Sequence, residues 1–178
     1  MMNTTILRSL AFLLLLLFLG GCDLGVPVSG SYDRPESNPQ DFASHGFMIN
    51  FAITDTLNQP STSYVAGEDF YVHFSLTNQT GAEQVYYHSG PIVFLEIWQG
   101  DSLVISNVYG LAWVAVVQRD TIGIQQTLTV RWRAPNPVVP WHRVILHPGI
   151  YCAQASIHTQ FGGREVSDPK PITFTITE

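Results

Sequence analysis

The sequence predicts an all-β fold, an antiparallel β-sandwich of seven or more strands preceded by a signal peptide and a flexible tether. Three observations carry this reading. From residue 47 onward, apolar residues recur at every second position in short runs, which gives each run one core face and one solvent face. Clusters of Gly, Pro, Asn, Asp and Ser separate these runs, as turns separate short strands. No long helix pattern interrupts them. With charged residues at 12% and a single lysine, Lys170, the surface must be built from Ser, Thr, Asn, Gln and Tyr, which suits strands.

Residues 1–21 read as a secretory signal. Arg8 is the only charge before residue 22, residues 10–19 are an unbroken apolar block, and Gly20 and Gly21 follow. A charged start, a short apolar stretch and small residues at the end are the parts of an export signal. The block is shorter than the ~20 apolar residues a spanning helix needs. Leu19-Gly20-Gly21-Cys22 is similar at all four positions to the Leu-small-small-Cys box of bacterial lipoprotein signals. The resemblance implies cleavage between Gly21 and Cys22 and lipid on Cys22. It places the chain at the bacterial cell envelope, anchored on the extracytoplasmic side of a membrane. More than one acyl chain on Cys22 would make that attachment durable.

Residues 22–44 read as the lipidated N-terminus and a flexible linker, with Pro27, Pro35 and Pro39 and little apolar periodicity. As coil, such a segment has an r.m.s. reach of roughly 25 Å. Residues 45–178 form the folded domain. Loss of residues 1–21 removes Arg8 and leaves seven basic against fourteen acidic residues. That balance argues against nucleic acid as a partner, and against a polybasic grip on lipid.

The strands follow in order. Phe47, Ile49, Phe51 and Ile53 share one face, and Phe70, Val72, Phe74 and Leu76 share the next. Residues 85–88 form a short ribbon. Val93, Leu95 and Ile97 alternate with Phe94, Glu96 and Trp98, and Gly100-Asp101 turns the chain into residues 103–106. Residues 111–117 are rich in β-branched side chains and read as strand. Leu128, Val130 and Trp132, then Tyr151, Ala153, Ala155 and Ile157, then Ile172, Phe174 and Ile176 complete the set.

Leu146-His147-Pro148-Gly149-Ile150-Tyr151-Cys152-Ala153 looks like the corner of immunoglobulin-like sandwiches, where a Pro-Gly turn leads to a buried tyrosine that bonds back across the corner. It is accompanied by Leu76-Thr77-Asn78, by Leu95-Glu96-Ile97 with its Gly-Asp turn, and by Leu128-Thr129-Val130-Arg131-Trp132. In that order, over roughly residues 47–160, the chain resembles the BsuPI family, the intracellular proteinase inhibitor domain. The resemblance implies an immunoglobulin-like sandwich and suggests a proteinase as partner. No inhibitory residue carries over from it.

Gly100-Asp101-Ser102-Leu103 spells a hydrolase signature. It lies between two strands, however, and the chain has no Asp-x-x-His, so it reads as a hairpin turn. His45, His73, His88, His142, His147 and His158 show no metal-ligand spacing, and no metal or cofactor is expected. Cys152 falls on the non-core phase of its strand and reads as a small semi-buried residue. Asn78-Gln79-Thr80 is a glycosylation sequon, set aside because the lipid box points to a bacterial host.

The residues that recommend themselves for binding are Val138, Val139, Trp141 and Arg143, in an apolar connection stiffened by Pro135, Pro137 and Pro140. Proline lowers the ordering cost of binding, and Trp and Arg are common interface anchors. The alternative is that Val138, Val139 and Trp141 fold back and plug the end of the sandwich. The sequence is thus read as a lipid-anchored protein-binding module, not an enzyme, with a proteinase as one candidate partner. The alternative function is a structural or assembly subunit of the envelope with no inhibitory role.

Overall fold

The computed structural model describes residues 37–113, 116–136 and 144–178. Among these residues the protein is all-β, with eleven strands in three sheets. The strands are β1 (Gln40–Ser44), β2 (Phe47–Thr54), β3 (Ser63–Val65), β4 (Phe70–Asn78), β5 (Gln84–His88) and β6 (Val93–Gln99). They continue with β7 (Ser102–Ser106), β8 (Gln118–Ile122), β9 (Thr127–Ala134), β10 (Gly149–Ile157) and β11 (Ile172–Thr177). One sheet has the order β1-β2-β4-β9, another β3-β11-β10-β6-β7, and β5 pairs with β8 as a separate ribbon.

The period-two alternation does what it predicts. Phe47, Ile49, Phe51 and Ile53 of β2 and Phe70, Val72, Phe74 and Leu76 of β4 are fully buried, as are Leu95, Ile97, Ala153 and Ile172 from the five-stranded sheet. Side chains from both large sheets form one apolar cluster. The ring of Phe70 stands edge-on to Phe174, with centroids 5.2 Å apart, and stacks on Tyr64 at 4.6 Å. Each fully buried Phe is worth about 1.5–3 kcal/mol of transfer free energy. The ribbon joins this core through Tyr86, whose ring lies 5.0 Å from Phe161, itself 5.2 Å from Phe47.

Three expectations are corrected here. The expected linker of 22–44 contains a strand: β1 pairs antiparallel with β2, Gln40 opposite Phe51 and Ser44 opposite Phe47. Its buried positions include Gln40 and Ser44, so no apolar alternation announces it, and Pro39 stands just ahead of it, where an edge strand tolerates proline. The two-residue loop His45-Gly46 has positive φ at both positions, 49° and 85°, the geometry of a tight primed hairpin turn. The sheets are not wholly antiparallel either, because β3 pairs parallel with β11. Finally, the described residues of 111–117 do not form the strand expected there. Leu111–Trp113 and Val116–Val117 carry no strand pairing, and β8 begins at Gln118. Trp113, Val116 and Val117 are exposed, so no sheet face buries these three side chains.

The Gly100-Asp101 turn is a hairpin: Gln99 pairs with Ser102 across it, and Gly100 sits at φ +55°. Cys152 is fully buried, not half-exposed. Its register partners across the sheet are Trp98 and Thr173, and its Sγ lies 3.6 Å from the Thr173 hydroxyl.

Candidate interaction surface

Cys22 and Gly21, assigned to lipid attachment and cleavage, lie outside the described residues, as do Val138, Val139, Trp141 and Arg143. The two feet of the 137–143 connection are described. On one side Pro135 is buried, the Trp132 indole N–H donates to the Asn136 carbonyl at 2.7 Å, and the Asn136 amide donates to Asp69 at 2.7 Å. On the other side Leu146 is buried and Val144 packs against the core.

The surface that sequence reasoning missed is the connection from β7 to β8. Tyr109, Trp113, Val116 and Val117, four of the large exposed apolar side chains, fall within it, with Trp113 46% and Val117 69% accessible. Single exposed apolar residues are ordinary, whereas a cluster of them marks a contact surface. The Trp113 ring rests on Gly90, where an added Cβ would sit 3.4 Å from the indole. Beside it is a hollow of about 270 Å³ lined by His88, Ser89, Gly90, Val116 and Gln118. His88 braces the ribbon tip, with Nδ1 2.8 Å from the Gly90 carbonyl and Nε2 3.1 Å from Asp120 Oδ2. The signal was present in the sequence, since a run too apolar for solvent and lacking alternation is either buried or a contact surface.

Two further hollows lie along the 157–170 segment, the first of them against β1. They measure about 370 and 390 Å³ and share Asp168; the first is lined with Asp41, Phe42 and Lys170, the second with His158 and Glu165. Burial pushes the Asp168 carboxyl above the usual carboxylate range, against the opposing pull of the Ile157 N–H, bonded at 2.7 Å, and of His158. The outer face of β4 and β9 carries a further cluster. Arg131 lies over the Tyr71 ring at 3.7 Å and donates to Asn58 at 2.7 Å. Arg133 pairs with Asp69, and His73 exchanges a hydrogen bond with the Thr54 hydroxyl at 3.0 Å. Burial, with the Arg131 charge second, holds the His73 ring below the ordinary histidine value.

His73, on β4, and His158, just after β10, belong to different sheets. Among the described residues, no group of three or more His, Cys, Asp or Glu side chains is placed to hold a metal ion.

No family model matches the chain, and no curated protein matches it in sequence. Among solved structures, it is similar to a Pseudomonas fluorescens alkylpurine DNA glycosylase, AlkC, bound to DNA containing an abasic site analog. That similarity has 13% identity and a TM-score of 0.40, over 76% of this chain and 32% of that one. It is also similar to a β-glucosidase from Listeria innocua in complex with gluconolactone, at 10% identity and a TM-score of 0.38, and with glucose, at 12% and 0.36. Both of these cover 88% of this chain and 20% of that one. The chain thus spans a third or less of each, and at these scores the likeness assigns it no activity.

Proposed function

We propose that this chain is a lipid-anchored, extracytoplasmic protein-binding module carried on an immunoglobulin-like β-sandwich, and that it acts by contact and not by catalysis. The sandwich reading is supported by two sheets sharing one core and by Tyr151 bonding back to His147 at the corner. The observation that carries the binding reading is that Tyr109, Trp113, Val116 and Val117 are all exposed on one connection, with Trp113 and Val116 beside the ribbon-tip hollow. Trp113 is the anchor of this surface, because a large ring supported from below gives contact area at small entropic cost. The 137–143 connection, with Trp141 and Arg143, is a second contact element. The resemblance to the BsuPI family makes an extracytoplasmic proteinase the partner to try first.

The experiment is capture from the native envelope by the membrane-anchored chain, read by mass spectrometry, followed by assay of any captured proteinase. Retention of a defined envelope protein, and slowing of a proteinase without degradation of the domain, supports an inhibitor. Capture with full proteinase activity at saturating domain replaces inhibition with an assembly role. No specific capture overturns the binding reading.

A further inference from the structure

Sheet edges present unpaired backbone N–H and C=O groups, and folded proteins block them with short strands, bulges, charges or covering segments. Most edges here are blocked in one of these ways. β1 is covered by the 167–170 segment: the Ser167 N–H donates to Ser44 Oγ at 3.0 Å, and the Gln40 amide donates to the Lys170 carbonyl at 3.0 Å. β3 is three residues long. β7 is five residues long and its pairing with β6 is bulged at Ile97/Trp98. β5 is closed by Gly162, whose N–H donates to the Val85 carbonyl at 2.7 Å, and by the Thr159 hydroxyl on the Tyr87 carbonyl at 2.7 Å. β8 is five residues and carries Arg119 and Asp120.

Of these devices β9 has only charges. It is eight residues long, Thr-Leu-Thr-Val-Arg-Trp-Arg-Ala, without proline or lysine, and it pairs with β4 from Phe70/Ala134 to Thr77/Thr127 without a bulge. Among the described residues, no segment lies hydrogen-bonded along its other side. Its two arginines do not guard that side. Arg131 lies back over Tyr71 of β4, and Arg133 turns to Asp69. Leu128 and Val130, on the core phase of the strand, are only half-buried, so an added strand would extend the core over them.

We propose that the free edge of β9 accepts an extended segment of a protein partner as an additional strand, a segment that alternates apolar residues with Asp or Glu. Main-chain pairing would supply affinity and alternate side chains specificity. The apolar residues would cover Leu128 and Val130, and the carboxylates would lie on the outer face beside Arg131, which has no ion-pair partner among the described residues, whereas Arg133 is already paired with Asp69. A second copy of this chain fits less well. Antiparallel pairing of β9 on itself about Val130 sets Arg131 diagonal to its own copy, and like charges at that separation repel. The proposal rests on the protein-binding reading and names a mode and a partner chemistry for it.

The test uses the full chain purified from membranes in detergent, with a blocked eight-residue peptide of alternating Val and Glu as probe. Amide exchange should find alternate β9 amides fast in the free protein and slowed at least tenfold by the peptide. Two versions of the peptide, N-methylated at alternate positions on one edge or on the other, should differ, with one binding and one weakened tenfold or more. Replacing Glu by Lys in the peptide should weaken binding at least tenfold, and Arg131→Glu should reverse that preference. The proposal is overturned if β9 is already protected without peptide, if the Glu peptide does not bind at millimolar concentration, or if both N-methylated versions bind alike. Protection that appears on concentrating the protein alone, together with dimers in sedimentation, assigns the edge to a second copy instead. If Trp113→Ala abolishes envelope capture while the peptide gives no protection, strand addition fails and the binding reading stands. Peptide addition without any envelope capture leaves the strand site and removes the wider reading.

Discussion

Tyr151 donates its phenolic O–H to the His147 carbonyl, 2.9 Å away, and so fastens the segment leading into β10 to the first residues of that strand. The ring is buried and stacks near Phe174, with centroids 5.7 Å apart. Tyr151→Phe keeps the ring and removes only the bond, leaving a carbonyl short of its donor. The expected loss is about 1–3 kcal/mol, measured by urea unfolding. A midpoint equal to that of the native protein would contradict the corner.

The pH dependence of stability should fall off at both ends. Burial raises the hydroxyls of Tyr64, Tyr86 and Tyr151 above the ordinary tyrosine value. Above about pH 10 the unfolded chain therefore ionises these groups first, and stability declines as pH rises further. The His73 ring is lowered, so below about pH 6.5 the unfolded chain binds the proton first and stability declines as pH falls. His73→Gln should flatten the acid limb of a plot of stability against pH while leaving the alkaline limb in place. An unchanged acid limb would refute the role given to His73.

Asn78 is the polar centre of the region where β4 ends. Fully buried, it donates to the carbonyls of Ala82, Ile122 and Gly123 at 2.8, 2.9 and 3.2 Å and accepts from the Thr80 N–H and hydroxyl at 2.9 and 2.8 Å. Asn78→Ala should cost about 3–5 kcal/mol, since several buried groups lose partners together. Asn78→Asp should cost nearly as much despite its matching shape, because a carboxylate cannot donate to three carbonyls. Stability within 1 kcal/mol of native for the aspartate variant, by calorimetry at pH 7, would count against this network.

Cys22 tests the anchor. Cleavage and lipid attachment share that residue in the proposed signal, so Cys22→Ser should leave an unprocessed or soluble species on membrane fractionation. A variant still acylated and sedimenting with membranes would exclude the lipoprotein reading.

The sequence made the core strands legible wherever apolar residues alternate with polar ones, as in β2, β4, β6 and β11. It did not reveal β1, whose inward face is Gln40, Phe42 and Ser44, a single apolar residue between two polar ones, and which is tied by hydrogen bonds to β2 and to the 167–170 segment. Nor did it reveal β3, a three-residue parallel partner of β11 too short to show a period. Residues 111–117 misled because β-branched content describes a side chain that suits a sheet, whereas among the described residues no strand pairs with 111–113 or 116–117. Asn78 reads from sequence as an ordinary turn residue, and its centrality depends on carbonyls 44 and 45 residues away. Of the binding surface, the sequence drew attention to the proline-braced connection and passed over Trp113.

Whether Trp113 serves a partner or the core is answered by one purified Trp113→Ala protein in which capture and stability are measured together. At 46% accessibility, the ring should contribute little to folding. The loss should be about 1 kcal/mol, well below the ~3–5 kcal/mol of a buried tryptophan. Capture of the envelope partner should weaken by more than ~2 kcal/mol, as for an interface anchor. Native-strength capture by the folded variant, or a stability loss of the buried-tryptophan size, would contradict the claim that this chain works through that surface.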